Sequence, residues 1–514
     1  MQAKILWADD EIDILQPHIL FLESKGYHVT TVNNGAEAVE KSRDSHFDII
    51  FLDENMPGIS GLEALTRIKE EKPQVPVVMI TKSEEESIME EAIGGKIADY
   101  LIKPVNPNQI LLCLKKNLEH GKLISQKTNS NYQQEFRQLG NLLNGRLDID
   151  EWMDLYKKLI YWELELDKIE DQGMSEILFA QKKEANALFA KYIERNYLDW
   201  VNGDEDAPQM IHTVIRDKVA PLMTKGKVTM VVIDNLRYDQ WMVLKPIMSK
   251  YFTVESEEMI LSILPTATHY ARNALFAGLM PSEIQKKFPK LWVTEEDEGG
   301  KNMHEKEFLE SNLSRLGKKG KLSYHKITNN ESGKKLLDNF SNLNDNDLNV
   351  IVYNFVDMLS HARTEMEMIR ELVDDEAAYR SITVSWFEHG PLQEIFKKIA
   401  DSGNQVVITT DHGTVKVTNP VKIVGERNTN TNLRYKVGRN LSYKEKEVFT
   451  VKNPQDAFLP KGSISDEYVF TKENDYFVYP NNYNHFVKYY GDTFQHGGIS
   501  LEELCIPFVV LKSK

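Results

Sequence analysis

The stretch NVIVYNFVDMLSH, residues 349–361, begins as an apolar run and then places Asp357 four positions before His361. The apolar run is typical of a buried strand. Side chains four residues apart share a face of a helix, so a strand followed by one helical turn would bring the acid and the histidine together. The stretch therefore predicts either a metal-binding pair or an ordinary connection between a strand and a helix.

Two more apolar runs in this part of the chain end in an acid: Asp234 follows TMVVI, and Asp411 follows VVITT. Parallel strands end at a common edge of the sheet, so the three carboxylates are expected to converge there. His412 directly follows Asp411, and His496 stands in QHGG before a final strand pattern. Mixed Asp and His ligands suit Zn²⁺ better than Mg²⁺ or Ca²⁺. The set predicts a zinc site.

The stretch LPTATHYARNALFAGL, residues 264–279, supplies a hydroxyl nucleophile for such a site. Zn²⁺ lowers the pKa of a bound hydroxyl, which can then attack phosphorus near neutral pH. Thr266 and Thr268 both qualify chemically, and composition does not choose between them.

Strand patterns also open the chain, where KILWA, DIIFLD, VPVVMIT and ADYLIKP alternate with helical patterns within residues 1–120. This alternation predicts a doubly wound parallel sheet with helices on both faces. The polar positions at the strand ends are Asp9, Asp10, Asp53, Thr81 and Lys103, followed by Pro104. Clustered carboxylates suit Mg²⁺, which can bridge an aspartate and an incoming phosphoryl group, and a lysine would balance the charge.

Residues 121–222 change to helical spacing, which predicts a small helical bundle that links two α/β parts. In the first of its helices the apolar residues recur at steps of three and four: Trp152, Leu155, Leu159, Trp162 and Leu166. Asp150 or Asp148 is placed to cap this helix, and Gly173 lies near its expected end. The heptad-like spacing also leaves room for pairing with a second copy.

Residues 223–514 form the third predicted domain, again α/β. Between Thr414 and Tyr490 they contain a long, polar insertion that favours strands. It is too long for a plain loop, and we expect it to cap a site.

Composition narrows the class of protein. The chain has 514 residues and a net charge of −16, which opposes direct binding to a phosphate backbone and therefore to promoter DNA. It contains two cysteines, no signal-peptide pattern at its first residues and no apolar run near the ~20 residues that a membrane span needs. We expect a cytoplasmic enzyme or signalling protein without a membrane span.

The motifs of residues 1–120 together resemble the receiver domain of bacterial response regulators. The family's DxxMPGxxG pattern is present from Asp53 to Gly61. The resemblance implies that Asp53 is the phosphoacceptor, that a sensor histidine kinase is a partner, and that the Lys103–Pro104 bond is cis. The implied Mg²⁺ ligands are Asp9, Asp10, Asp53 and Asn55, and the implied switch residues are Thr81, Tyr100 and Lys103.

The motifs DNLR, PTAT, DMLSH, TTDHG and HGG resemble the alkaline phosphatase superfamily, nearest its nucleotide pyrophosphatase/phosphodiesterase and PglZ branches. In those branches the nucleophilic threonine stands three residues after a proline and ten before a Gly-Leu pair, which selects Thr268. The resemblance implies two Zn²⁺ per chain. One would be held by Asp234, Thr268, Asp411 and His412, and the other by Asp357, His361 and His496.

The stretches DNLRYD and NTNTNLRYKVGRN look like further PglZ signatures. Their basic residues Arg237, Arg434 and Lys436 are candidates for contacts with substrate phosphate, because the planar arginine fork matches a pair of phosphate oxygens. Structural salt bridges are the alternative for each.

The order of receiver, helical linker and PglZ domain resembles the PorX-type response regulators, a family linked to type IX secretion. The first hypothesis is a zinc-dependent phosphodiesterase that acts on nucleotides or short oligonucleotides and forms a homodimer on phosphorylation. The alternative is a metal-stabilised adaptor that binds a transcription or secretion component, with vestigial catalysis. A phosphomonoesterase or mutase fits less well, because those branches more often use serine.

Overall fold

The computed structural model describes residues 3–82, 97–169, 172–294, 300–365, 369, 373, 375–426, 429–463 and 465–514. The chain divides into two compact units, residues 1–134 and 135–514. The boundary falls inside the helix His120–Leu143, so most of the middle region belongs to the same unit as the C-terminal sheet. Within the described ranges no helix combines the length and apolar character that a membrane crossing requires.

The N-terminal unit contains a five-stranded parallel sheet in the order β2-β1-β3-β4-β5. Its strands are β1 Lys4–Ala8, β2 His28–Val32, β3 Ile49–Asp53, β4 Val77–Thr81 and β5 Asp99–Ile102. Its described helices are Gln16–Ser24, Gly35–Asp44, Gly61–Glu71, Pro107–Leu114 and the start of His120–Leu143, with shorter segments at Ile12–Leu15 and Lys115–Glu119. The predicted doubly wound parallel sheet is confirmed, with one strand, β2, that the sequence pattern did not identify.

Strand β1 shows why the strands of this sheet read as continuous apolar runs. Leu6 and Ala8 belong to the hydrophobic core on one face of the sheet, and Ile5 and Trp7 belong to the core on the other face. Both faces are covered, so successive residues are apolar and the first polar position, Asp9, comes where the strand ends.

The middle region forms two long helices, Ile149–Asp167 and Gln172–Val201, which pack against each other through Trp152 and Phe189 with ring centroids 5.6 Å apart. Of the two predicted caps, Asp148 is the N-cap: its carboxylate accepts the Glu151 amide at 2.9 Å. Gly173 lies inside the second helix, so the expectation that it ends the first is wrong. The third helical stretch is broken into Ile211–Thr213, Ile215–Val219 and Ala220–Lys225.

The C-terminal sheet has six strands in the order β7-β18-β10-β6-β9-β8. Strands β10, β6, β9 and β8 are parallel, whereas β18 is antiparallel to β10 and to β7. The bounds are β6 Val228–Ile233, β7 Phe252–Leu261, β8 Leu322–Ile327, β9 Leu348–Tyr353, β10 Gln405–Thr409 and β18 Cys505–Ser513. The predicted mixed α/β domain is confirmed, and the ends of β6, β9 and β10 share one edge.

Helices connect these strands. They are Tyr238–Met248, Thr268–Ala277, Pro281–Lys287, Glu305–Arg315, Asn330–Asp338, Phe355–Glu365, Glu376–His389, Pro391–Ser402 and Leu501–Leu504, with a short turn at Phe340–Leu343. The insertion folds as small sheets, β11-β17, β12-β16 and β13-β15-β14. Its elements, with β17 just beyond it, are β11 Val415–Lys416, β12 Asn419–Lys422, β13 Tyr435–Gly438, β14 Val448–Val451, β15 Glu467–Thr471, β16 Asp475–Val478, β17 Phe494–Gln495 and the helix Tyr483–Tyr490.

The insertion reaches the loop that carries the HGG motif. Gly497 has a φ of +123°, and a Cβ at this position would lie 2.6 Å from the ring of Tyr435. Only glycine fits both the backbone conformation and this close approach. Strand β13 of the insertion therefore lies against the loop of His496.

Candidate functional site

The edge of the C-terminal sheet gathers a buried cluster of two acids and a histidine. Asp234 directly follows β6, and Asp411 and His412 follow β10. One ligand atom of each lies within 4.8 Å of the others, and all three side chains are fully buried. We refer to Asp234, Asp411 and His412 as the inner group.

Thr268 contacts the inner group. It is the first residue of the helix Thr268–Ala277, and its Oγ1 lies 3.4 Å from Asp234 Oδ1 and 3.1 Å from His412 Nε2. The hydroxyl of Thr266 is used elsewhere: it donates to the Gly498 carbonyl at 2.9 Å and accepts the Gly497 amide at 3.0 Å. The two candidate threonines therefore differ, since one faces the inner group and the other supports the HGG loop.

A second cluster adjoins the first and is formed by Asp357, His361 and His496, which we call the outer group. Asp357 and His361 both lie on the helix Phe355–Glu365, and His361 Nε2 is 3.6 Å from Asp357 Oδ2. His496 Nε2 lies 3.6 Å from Asp357 Oδ1. The His412 and His496 rings stack with centroids 4.3 Å apart, so the two groups are neighbours. The outer group is the more open one, since the His361 side chain is 60% exposed.

The ring orientations of the two buried histidines fit metal binding. His412 Nδ1 lies 3.0 Å from the Gly413 carbonyl, and His496 Nδ1 lies 3.1 Å from the Thr266 carbonyl. A carbonyl only accepts, so each Nδ1 carries the proton and each Nε2 presents a lone pair to the carboxylates. Asp411 Oδ2 is also buried, and no described residue hydrogen-bonds to it. This donor set is the kind that binds Zn²⁺.

Burial dominates the electrostatics of this edge. It raises the pKa of Asp234 to about 7, although the Arg272 guanidinium opposes the shift. Burial also raises the pKa of Asp357 and Asp411. The pKa of His412 is lowered to about 3, chiefly by burial. Because burial favours the neutral form of each group, a cation is needed to hold the acids ionised together.

Two residues at this edge were missed by the sequence analysis. Asn235 has a φ of +64°; its amide N–H donates to Asp411 Oδ1 at 3.3 Å and its side chain donates to Asp357 Oδ1 at 3.5 Å, so it joins the two groups. Arg272 lies one helical turn after Thr268, and its Nη1 is 2.5 Å from Asp234 Oδ2. Spacing on the helix could have pointed to Arg272, because residues four apart share a face.

The three basic residues that are candidates for substrate contacts, Arg237, Arg434 and Lys436, are all buried. Arg237 donates to both oxygens of Asp239, at 2.9 Å and 2.5 Å. Arg434 forms a two-bond pair with Glu503, at 3.1 Å and 2.6 Å. Lys436 donates to the Asn430 carbonyl at 2.8 Å, and burial lowers its pKa to about 7. These contacts inside the domain agree with the alternative of structural contacts, although Arg237 Nη1 has no hydrogen-bond partner among the described residues.

The N-terminal sheet has its own carboxylate cluster, formed by Asp9, Asp10 and Asp53. Lys103 Nζ lies 2.9 Å from Asp9 Oδ2 and 2.8 Å from Asp53 Oδ1. Burial raises the pKa of Asp53, while Lys103 opposes the shift. Asn55, the remaining candidate Mg²⁺ ligand, is exposed two residues after Asp53.

Two of the three predicted switch residues, Thr81 and Tyr100, lie near the carboxylate of Glu54, which the sequence analysis did not single out. The buried Thr81 hydroxyl donates to Glu54, the residue after Asp53. Tyr100 is half-buried, and its pKa is raised by burial, with the nearby charge of Glu54 adding to the shift. The Lys103–Pro104 bond is cis, as the resemblance to receiver domains implied.

Comparison with known families assigns each part of the chain. Residues 5–115 match the response regulator receiver domain, residues 122–201 match the PorX response regulator linker domain, and residues 214–511 match the BREX system PglZ alkaline phosphatase-like domain. The last match covers more than half of the chain.

Two individual relatives each match less than a quarter of the chain. The transcriptional regulatory protein ResD of Bacillus subtilis (strain 168) is 34% identical over 114 residues, which are 22% of this chain and 47% of that protein. ZraR of Klebsiella oxytoca is 35% identical over 122 residues, which are 24% of this chain and 28% of that protein. These matches thus span less than half the length of either relative.

Among solved structures, the chemotaxis protein CheY4 of Vibrio cholerae is 32% identical, with 23% of this chain and all of that chain covered and a TM-score of 0.22. The family assignments, together with the two carboxylate clusters at the sheet edges, identify the architecture. The chain belongs to the PglZ alkaline phosphatase-like family and has the receiver, linker and PglZ domains of a PorX-type response regulator.

Proposed function

We propose that the protein is a cytoplasmic two-component response regulator whose PglZ domain is a zinc-dependent phosphodiesterase for nucleotides or short oligonucleotides. A sensor histidine kinase would phosphorylate Asp53, with Mg²⁺ held by Asp9, Asp10 and Asp53 and by Asn55. The resemblance to PorX-type regulators supports a role in the regulation of type IX secretion. The observation that carries the enzyme assignment is the Thr268 hydroxyl, which lies 3.1 Å from His412 Nε2 and 3.4 Å from Asp234 Oδ1 of the inner group.

Two zinc ions would be held by the chain, one by Thr268 and the inner group and one by the outer group. When bound, zinc supplies Lewis acidity that favours the ionised threonine and the developing charge on phosphorus. The protein holds the ligands in place: the Gly413 and Thr266 carbonyls orient the two histidines, and Asn235 connects Asp411 with Asp357.

The reaction would proceed in two displacements at phosphorus. Thr268 Oγ1 forms a bond to phosphorus as the bond to the leaving alcohol breaks, which gives a phosphothreonine ester. Water then attacks the same phosphorus, and Thr268 is released with its proton restored. Because Thr268 begins a helix, the partial positive charge of the helix N-terminus favours the phosphoryl oxygens during both steps.

A metal-stabilised adaptor with vestigial catalysis is the alternative function. It would need the inner and outer groups for stability but would not need a hydroxyl directed at them. The placement of Thr268 therefore favours the enzyme.

The test combines metal analysis with hydrolysis of bis(4-nitrophenyl) phosphate by the full chain. We expect close to two zinc ions per chain, activity that is lost with a chelator and restored by zinc, and loss of one ion in His361→Ala or His496→Ala. Metal-replete protein without diesterase activity would favour the adaptor. Unchanged zinc content in both histidine variants would refute the ligand assignment.

A further inference from the structure

Arg272 connects the inner group to a second acid on its other side. Its Nη1 lies 2.5 Å from Asp234 Oδ2 and 3.8 Å from Asp411 Oδ2, and its Nε donates to Glu305 Oε1 at 2.5 Å. The Arg272, Asp234 and Glu305 side chains are each 1% exposed. The guanidinium is therefore fixed between two buried carboxylates, and only one of them belongs to the inner group.

Glu305 is itself held by two donors from strand β8. Lys326 Nζ lies 3.0 Å from Glu305 Oε2, and the Tyr324 hydroxyl donates to the same oxygen. The described contacts of Glu305 are therefore with Arg272 and with two groups, Lys326 and Tyr324, that fix the orientation of the Glu305 carboxylate. The position of the guanidinium is determined from the side opposite to Asp234.

The chain of contacts then returns to the nucleophile. Lys326 Nζ donates to the Asn302 carbonyl at 2.8 Å, and the Asn302 side chain donates to the Thr268 carbonyl at 2.9 Å. Thr268 Oγ1 is in turn 3.4 Å from Asp234 Oδ1. A closed circuit therefore runs from Asp234 through Arg272 and Glu305 to the backbone of Thr268.

We propose that Arg272 is a positioning residue of the inner group, an inference that rests on the proposed zinc-dependent function. It holds Oδ2 of Asp234 and thereby directs Oδ1 toward Thr268 and the zinc ligand position. Because Arg272 lies on the helix Thr268–Ala277, it ties this carboxylate to the helix that carries Thr268, and Glu305 fixes the guanidinium in that position. Groups of this kind, which orient ligands from behind, typically control metal affinity.

The geometry calls for an arginine. Two carboxylates are held on different nitrogens of one planar group, Asp234 on Nη1 and Glu305 on Nε. A lysine ammonium preserves the charge but lacks this fixed fork, so it cannot hold both acids at these angles. Arg272→Lys should therefore recover the charge balance but only part of the alignment.

The experiment measures zinc affinity of the full chain at one fixed pH, by competition with a chromogenic chelator. His361→Ala is the common background, so that the titration reports the inner group. Adding Arg272→Met should weaken zinc binding by about ten- to hundredfold, and Arg272→Lys should give an intermediate loss. In the otherwise unchanged enzyme, Arg272→Met should lower kcat for the aryl diester much more than it changes KM.

Arg380→Met is the matched control. Arg380 is also buried among acids, with Glu163, Asp167 and Asp239 within 2.9 Å, but none of these is a proposed zinc ligand. A purely structural arginine should lower the melting temperature without changing zinc affinity. Equal zinc affinity in the Arg272→Met and Arg380→Met proteins would overturn the proposal.

Glu305→Gln provides a second route if Arg272→Met does not fold. It keeps the arginine charge beside Asp234 but weakens the anchor behind it, so zinc affinity should still fall, by less than in Arg272→Met. An unchanged affinity in Glu305→Gln would refute the circuit. If the parent protein binds no zinc at all, the proposed function fails instead, and the two failures are thus distinguishable.

Discussion

Each compact unit gathers acids at the carboxyl ends of parallel strands and places a basic side chain among them. In the receiver this is Lys103, whose side chain is 14% exposed and whose Nζ bridges Asp9 and Asp53. In the PglZ domain it is Arg272, which is 1% exposed and held from behind by Glu305. The flexible side chain of a lysine can change its position when a phosphoryl group is added or removed. An arginine fixed between two acids instead holds the neighbouring carboxylate, here Asp234, in one orientation. We therefore expect the side chains of the receiver site to rearrange on phosphorylation and those of the inner group to keep their positions.

The largest expected effect comes from removing the proposed nucleophile of the PglZ domain, Thr268, while the receiver site is left unchanged. Thr268→Ala should reduce diester hydrolysis on the order of a thousandfold or more, since it removes the hydroxyl that lies 3.4 Å from Asp234 Oδ1 and 3.1 Å from His412 Nε2. Acetyl phosphate labelling of Asp53 should be unchanged. Steady-state hydrolysis and phosphoprotein electrophoresis measure the two results.

Thr266→Ala is the matched control for this variant. It removes the hydrogen bonds to Gly498 and Gly497, so it should cost about 1–3 kcal/mol of unfolding free energy. Its loss of activity should be much smaller. If Thr266→Ala were the less active of the two proteins, the choice of Thr268 as nucleophile would be wrong.

Removal of metal ions should lower the thermal stability of the C-terminal unit more than that of the receiver. Zinc at about a thousand times its dissociation constant stabilises the folded state by roughly 4 kcal/mol, which a chelator withdraws. The receiver should lose little, because Mg²⁺ binds such carboxylate sites weakly and Lys103 already balances their charge. Calorimetry with and without EDTA should show the transition of the C-terminal unit falling by several degrees and that of the receiver staying in place. Equal shifts would contradict the comparison.

The fold of both sheets was predictable from strands such as β1, β3 and β6, which are almost entirely buried and end in an acid or directly before one. Strands β7 and β8 are less completely buried and were not identified. Strand β2 was missed because it reads HVTTV, in which only Val29 and Val32 are buried. Thr30 and Thr31 interrupt the apolar run that identified the other strands. The pattern fails where one strand is covered less completely than its neighbours.

The candidate site was predictable where its residues carry a chemical signature at the end of a strand or on one helix turn. The structure brings the seven candidate zinc ligands into two adjoining groups. The sequence left the roles of Arg237 and Arg434 open, because an arginine beside a motif looks the same in sequence whether it faces substrate or a buried acid. Their partners Asp239 and Glu503 could be recognised only in three dimensions. Arg272 was missed although it lies one helical turn after Thr268, because that spacing does not say which acids it contacts.

Phosphorylation of Asp53 tests whether the side chains of the receiver site rearrange. The Thr81 hydroxyl now donates to Glu54, and a phosphoryl group on Asp53 would compete for it. We expect the resulting rearrangement to favour a homodimer by a coupling of about 1–3 kcal/mol. Light scattering with Mg²⁺ and beryllofluoride, a mimic of the aspartyl phosphate, should show an increase in mass at micromolar concentration. Asp53→Ala should abolish the increase, and an unchanged mass in the parent protein would refute the prediction.

The smallest expected effect concerns the pKa of Asp234, which burial raises and the charge of Arg272 lowers. Burial raises the pKa of this carboxyl to about 7 in the metal-free protein despite the arginine beside it. Zinc binds the ionised form, so below this pKa it must displace a proton and its affinity falls as the pH falls. His412 stays neutral over this range because burial lowers its pKa to about 3, and it adds no pH dependence.

Zinc binding to the inner group should therefore be roughly tenfold weaker at pH 6 than at pH 8, a difference of about 1.4 kcal/mol. The measurement is chelator competition in the His361→Ala background, corrected for protonation of the chelator. An affinity that is constant between these pH values would mean that Arg272 holds Asp234 ionised throughout. A dependence much steeper than tenfold would mean that a second proton is displaced, which Asp411 would supply because burial raises its pKa as well. Either result would measure how far the fixed arginine of the PglZ domain offsets burial.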